Sequence, residues 1–168
     1  MKPKVSIIMG STSDLKIMEK AAKLLNEFEI PFEINALSAH RTPKEVEDFA
    51  THAQERGIEV IIAGAGMAAH LPGVIASMTT LPVIGVPIDA SMDGWDALLS
   101  IVQMPPGIPV ATVGINAAQN AGILAIEILA LKDSNLLVRL KSYKEDLKQK
   151  IVEANQQLKE VKYPFKTN

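Results

Sequence analysis

Hydrophobic residues along this chain form short runs that alternate with helical patterns. The runs of strand length cover residues 5–9, 32–37, 60–63, 83–86 and 109–113. Five short strands separated by helices are typical of a parallel sheet, because parallel strands need a crossover between them. The pattern therefore predicts an α/β fold.

The first two helices are predicted from apolar residues at intervals of three and four. Between the first two strands these residues run from Leu15 to Phe28, and in the second helix from Val46 to Ala53. The start of the second helix carries a capping-box signal: Thr42 as the cap, Pro43 at the first helical position and Glu45 completing the box.

The C-terminal part predicts one more helix, of different composition. A helical pattern continues after Gly122, and from about Ser134 the chain becomes rich in Lys and Arg. Apolar residues from Leu136 to Leu158 then recur every three or four positions, which predicts an amphipathic helix over about residues 133–160, packed on the domain or on a neighbouring subunit, or forming a binding arm. With no internal repeat and no linker, we expect a single domain over residues 1–168.

Charge and composition narrow the classes of function. The chain has 17 Lys and Arg against 19 Asp and Glu, for a formal net charge of -2, so a nucleic-acid partner is not expected. The absence of cysteine excludes disulfides and thiolate chemistry. The N-terminal segment does not have the pattern of a secretory signal, so we expect a cytoplasmic protein.

The middle of the chain is almost free of charge. No Lys or Arg lies between Arg56 and Lys132. Because prolines and glycines interrupt this apolar stretch, it does not predict a membrane span. We expect these residues to be buried in the sheet and in a subunit interface, which predicts a homo-oligomer.

Candidate chemistry lies in three loops that follow predicted strands, at residues 10–14, 38–43 and 64–73. In an open parallel sheet, ligands bind beyond the carboxyl ends of the strands. Ser11 and Asp14 in the first loop are consistent with a capping box, or with binding of an anion and of ribose hydroxyls. His40 and Arg41 are either a functional pair, for proton transfer and phosphate binding, or structural groups. His70 either lines a pocket or makes a structural hydrogen bond.

The sequence lacks the patterns of several other functional sites. Two of its ionisable residues, His52 and Arg56, predict no function. His52 and Arg56 belong to the second predicted helix, and we expect both to be solvated. The glycines have no nearby Lys, which argues against a P-loop, and GAGMAA lacks the spacing of a dinucleotide fingerprint. The histidines have no metal-ligand spacing. We therefore predict no metal and no cofactor.

Five segments in order make the chain similar to a known family. They are MGSTSD, SAHRTP, IIAGAG followed by AAHLPG, TLPVIGVP, and LLSIVQMPPGIPVATV. With them the chain resembles the N5-carboxyaminoimidazole ribonucleotide mutase family of purine biosynthesis, over essentially its whole length. The resemblance implies a flavodoxin-like three-layer α/β/α sandwich, an octamer, and conversion of N5-carboxyaminoimidazole ribonucleotide to 4-carboxy-5-aminoimidazole ribonucleotide without a cofactor.

The resemblance also implies roles for individual residues. His40 matches the general acid and base of the family. The matched substrate-binding positions are Ser11, Asp14, Ser38, Arg41, Ala65, Gly66, His70 and Leu71. The chain departs from the commoner family pattern at Met67, where a third glycine is usual, and in the short segment 114–122. Two alternatives stay open: a carboxylase that uses carbon dioxide directly, and a non-catalytic nucleotide- or flavin-binding module on the same scaffold.

Overall fold

A computed structural model describes residues 1–168 and divides the chain into two compact units, Met1–Leu129 and Ala130–Asn168. The prediction of a single domain stays a prediction. The helices and strands, numbered in chain order, are β1 Val5–Met9, α1 Leu15–Glu27, β2 Phe32–Ala36, α2 Pro43–His52, β3 Val60–Gly66, α3 Leu71–Ala76, β4 Val83–Ile88, α4 Trp95–Val102, β5 Ala111–Thr112, α5 Ala118–Ala130 and α6 Ser134–Lys159.

The five strands form one sheet in the order β2-β1-β3-β4-β5, and every neighbouring pair is parallel. This confirms the predicted α/β fold with a parallel sheet. β1, β3 and β4 are fully apolar or nearly so and are buried along almost their whole length, as expected for strands covered on both faces.

The strand order reverses at β1, which lies between β2 and β3. Val5 pairs with Phe32 on one side and with Val60 on the other, so the carboxyl ends of the three strands lie next to one another. A crevice opens at such a point, because the connections leave in opposite directions. The three loops selected from the sequence all start at this edge.

The predicted capping box of α2 is not formed. Pro43 does occupy the first turn of α2, and Thr42 precedes it, but the Thr42 side chain makes no cap bond to the helix. Its hydroxyl instead accepts a hydrogen bond from the Ser38 backbone N–H at 2.8 Å and donates one to the Ser38 carbonyl at 3.1 Å. Thr42 therefore closes the loop after β2, since a short hydroxyl side chain can bond to nearby backbone in place of the helix end.

The prediction that Arg56 is solvated is wrong. Its guanidinium donates to the Glu33 carboxylate at 3.1 Å and lies over the Phe49 ring, 5.0 Å from the ring centre. The reason is tertiary: the turn after α2 brings Arg56 to strand β2, a contact that helical spacing alone does not reveal. His52, by contrast, is exposed as predicted.

The long C-terminal helix is confirmed as α6, with the Asp133 carboxylate accepting from the Leu136 backbone N–H at 3.0 Å at its start. Leu136 and Leu140 are buried, whereas Ile151 and Leu158 further along the apolar face are exposed. None of the helices combines the length and the apolar character needed to cross a bilayer.

Candidate active site

The loops after β1, β2 and β3 enclose a cavity of about 550 Å³ at the carboxyl edge of the sheet. All nine site residues selected from the sequence line this one cavity. They are Ser11, Asp14, Ser38, His40, Arg41, Ala65, Gly66, His70 and Leu71. Residues from three parts of the chain thus meet in one place, as the strand order requires.

Arg41 is held against the loop that follows β1. Its terminal Nη2 donates to the Gly10 carbonyl at 2.9 Å, and its Nε lies 3.4 Å from the Ser38 hydroxyl. The same hydroxyl accepts from the Arg41 backbone N–H at 3.3 Å. A guanidinium has five N–H donors, so these contacts orient the fork and leave donors for an anion in the cavity.

His40 and His70 line the cavity and contact each other directly. The Nε2 atom of His40 is 2.7 Å from the Nδ1 atom of His70, and the rings meet edge to face at 79°. His40 comes from the loop after β2 and His70 from the residue before α3, so β2 and β3 bring the two rings together. One nitrogen of this pair must donate and the other must accept, so a single proton lies between them. The bond therefore orients each ring relative to the other.

Ser11 and Asp14 lie in a short 3-10 turn between β1 and α1. The Ser11 hydroxyl accepts from the Ser13 backbone N–H at 3.3 Å, whereas Asp14 makes no side-chain cap bond to α1. The Ser11 hydroxyl therefore caps the turn that leads into α1, as the capping-box interpretation expects of Ser11. Asp14 accepts from the Ser13 hydroxyl at 3.2 Å, and partial burial in the cavity raises the pKa of its carboxyl above the ordinary value.

The end of β3 forms a wall without polar side chains. A Cβ on Gly66 would lie 2.8 Å from the Ala90 Cβ and 3.1 Å from the Ile88 carbonyl oxygen. Only glycine therefore lets the end of β3 pass this close to the end of β4 and the loop that follows it. Met67 follows with a φ of 55°, in the left-handed region that favours glycine. Its side chain is 58% exposed at the rim of the cavity.

Comparison with known proteins identifies the family. The family model described as AIR carboxylase matches residues 4–150. The chain belongs to this family. It is 61% identical over 147 residues to a protein named N5-carboxyaminoimidazole ribonucleotide mutase from Pyrococcus abyssi, and the match covers 87% of this chain and 84% of that relative.

A second relative is named as a carboxylase and not as a mutase. The chloroplastic phosphoribosylaminoimidazole carboxylase of Vigna aconitifolia is 53% identical over 155 residues, which cover 92% of this chain but 28% of that longer protein. Among solved structures, PurE from Treponema denticola is similar with a TM-score of 0.81 and 34% identity, covering 94% of this chain and 99% of the other. The flavodoxin-like expectation agrees with this likeness.

Further residues that line the cavity were not predicted from the sequence. Ser13, Ala39, Ala68 and Ala90 also line it. Ala90 follows β4, and extending the strand-end rule to that loop would have found it. The small alanines carry no chemical signal of their own, so only the fold reveals them.

Another cavity of the molecule lacks comparable chemistry. A second cavity of about 690 Å³ is lined by residues 76–83 and 107–109 with Thr51 and Gln54, none of which is ionisable. No three His, Asp or Glu side chains lie close enough together to hold a metal ion. The cavity with His40 and Arg41 is therefore the candidate active site.

Proposed function

We propose that this protein is an N5-carboxyaminoimidazole ribonucleotide mutase, which moves the carboxyl group of its substrate from the exocyclic nitrogen to ring carbon 4. The observation that carries the proposal is the His40–His70 pair in a cavity that also holds Arg41. The histidines can transfer protons, and the Arg41 guanidinium can bind an anion. The high identity to a protein named as this mutase supports the same activity.

The cavity offers a group for each part of a ribonucleotide. Arg41, with the hydroxyls of Ser38 and Ser11, suits the phosphate, because the guanidinium fork matches phosphate oxygens. The Asp14 carboxylate can accept from ribose hydroxyls. The backbone of Ala65 and Gly66 then faces the imidazole ring, where the lack of bulky side chains permits close approach.

In the proposed mechanism His40 first acts as an acid. It gives a proton to the exocyclic nitrogen as the bond from that nitrogen to the carboxyl carbon breaks, which leaves carbon dioxide and the aminoimidazole ring. Ring carbon 4 then attacks carbon dioxide, and the new carbon–carbon bond forms. His40 finally removes the proton from carbon 4, which restores aromaticity and returns the imidazole to its starting state.

The hydrogen bond between His40 and His70 assists this cycle by fixing the orientation of the His40 ring. Substrate and product have the same atoms and the same oxidation state, so the proposed reaction is an isomerisation whose balance requires no cofactor. The requirement on the protein is a dry cavity that retains carbon dioxide between the two steps.

The proposal extends to assembly. The family resemblance implies an octamer, and the charge-poor stretch between Arg56 and Lys132, which has no Lys or Arg, supports burial against other copies of the chain. The predicted cytoplasmic location stays a prediction.

The main competitor is a carboxylase that takes carbon dioxide from solution, a function favoured by the name of the Vigna relative. One assay separates the two: the purified protein is given either the N-carboxylated ribonucleotide, or aminoimidazole ribonucleotide with bicarbonate. We expect rapid product formation from the first and far slower formation from the second at physiological bicarbonate. The opposite order of rates contradicts the mutase.

A variant at His40 tests the mechanism and also the idea of a non-catalytic binding module. His40→Asn is expected to lower turnover by roughly 10²–10⁴-fold, the usual share of general acid–base catalysis, while product still binds at the Arg41 side. His52→Asn is the matched control, because His52 is exposed on α2 and outside the cavity. Near-native turnover in His40→Asn contradicts the assigned role, and binding without turnover in the wild type supports a module.

A further inference from the structure

Met67 occupies an unfavourable backbone conformation at the edge of the cavity. Its φ of 55° lies in the left-handed region, which a long L side chain adopts only at a cost in free energy. Strained residues of this kind persist where the surrounding structure imposes them, and they concentrate at functional sites.

The single chain gives Met67 little packing in return. The side chain is 58% exposed, although it is large and apolar, while the next large apolar residue in the loop, Leu71, is buried. Ala69 between them is also buried. The loop is thus anchored on both sides of His70, and it directs one flexible apolar side chain to the mouth of the cavity.

We propose that the Met67 side chain folds over the bound imidazole and keeps carbon dioxide in the cavity between the two bond changes. An unbranched thioether side chain suits this role because it adapts to irregular surfaces and offers nothing that carbon dioxide could react with. The inference rests on the proposed mutase function and assigns to Met67 the retention step of that reaction.

The chemistry makes retention measurable. When the bond from nitrogen to the carboxyl carbon breaks, the freed carbon dioxide either bonds to ring carbon 4 or escapes and is replaced from solution. A substrate with a ¹³C carboxyl group, incubated with unlabelled bicarbonate, gives labelled product in the first case and unlabelled product in the second. Mass spectrometry of the product gives the ratio of the two.

Four variants separate the side chain from the backbone. Met67→Ala and Met67→Gly both remove the apolar cover, but only Met67→Gly relieves the left-handed backbone. Met67→Leu retains apolar bulk. Met92→Gly is the matched control, because Met92 is also an exposed methionine with positive φ, at 48°, and lies outside the cavity.

We expect the ratio of unlabelled to labelled product to rise about tenfold in Met67→Ala and Met67→Gly, the factor that corresponds to the apolar contact the Met67 side chain gains when it covers the bound imidazole. Met67→Leu and Met92→Gly are expected to keep the wild-type ratio. A wild-type ratio in Met67→Ala overturns the proposal, as does a reduced oligomeric mass without a change in ratio, which makes Met67 an interface residue.

Different results overturn the role of Met67 and the function on which it rests. If the wild type does not convert the labelled substrate at all, the proposed function is wrong, and the role assigned to Met67 is wrong as well. If the wild type converts it and Met67→Ala retains the label equally well, the mutase stands and only the role of Met67 is wrong.

Discussion

At the scale of single residues, Asp14 combines a function with a cost in stability. Burial raises the pKa of its carboxyl, so the folded state binds the proton more tightly than the unfolded state does. Folding is therefore favoured at acidic pH, where the group is neutral in both states, and stability is lost as the pH rises through the folded-state pKa. At neutral pH the charged carboxylate is kept at the site although it weakens the fold.

Asp14→Asn is expected to raise the melting temperature at pH 7, and the gain should disappear near about pH 3, where the wild-type carboxyl is protonated. The same variant is expected to raise KM about tenfold or more, because an amide replaces a charged acceptor for ribose hydroxyls. Thermal melts at both pH values and steady-state kinetics measure these effects. Asp146→Asn, at an exposed position of α6, is the control, and an Asp14→Asn protein less stable at pH 7 contradicts the assigned cost.

His40 and Arg41 could be singled out from the sequence because of their residue types and their place after a strand, whereas Ser38, Ala65, Gly66 and Leu71 were expected only from the family resemblance. Residue type and position alone left a structural role for His40 and Arg41 open. The contact of His40 with His70 was not predictable, because 30 positions separate them and the sheet alone sets their distance. The partner of Arg56 was missed for the same reason.

At the scale of elements, all five strands were predicted, but the accuracy of their ends does not follow their place in the sheet. The edge strand β2 ends one residue before its predicted end, whereas the central strands β3 and β4 extend three and two residues beyond theirs. β1 matches its prediction at both ends, Val5–Met9, and four of its five residues are apolar. β5 spans Ala111–Thr112 only, against a predicted 109–113. Pro109 has no N–H for the sheet, and an edge strand has a single neighbour, so little pairing extends it.

Gly85 in β4 is expected to be essential for packing between the sheet and α4. A Cβ at this position would lie 2.4 Å from the Ile101 Cγ2 and 2.9 Å from the Val110 Cγ1. Gly85→Ala should therefore destabilise the fold by about 1–3 kcal/mol, the usual cost of overpacking a core, as measured by urea unfolding.

The control for this prediction is Gly114→Ala. A Cβ there would make only an ordinary contact, 3.7 Å from the Ala117 Cβ. We expect its unfolding midpoint to stay near that of the wild type. If Gly85→Ala and Gly114→Ala have the same unfolding midpoint, the close approach at Gly85 does not limit packing.

At the scale of the whole molecule, the charge-poor middle of the sequence has two structural consequences. Most of β3 and β4 is buried within the chain, which accounts for the longest apolar runs. α4 is different: Trp95, Leu99 and Val102, spaced four and three residues apart, are 59%, 51% and 49% exposed. Exposed large apolar residues in one row on a helix are typical of a surface that another protein covers.

We therefore expect the purified protein to be an oligomer, with a mass in light scattering of eight times the 18.1 kDa chain if the family resemblance holds for assembly. Leu99→Glu places a charge in the centre of the row on α4, and burial of an unpaired charge is costly, so it should lower the measured mass. Lys20→Glu adds negative charge to the exposed side of α1 and should not. A monomeric wild type at micromolar concentration contradicts the oligomer. An unchanged mass in Leu99→Glu shows that α4 does not form the interface. The exposed apolar residues of α6 are then the next surface to test.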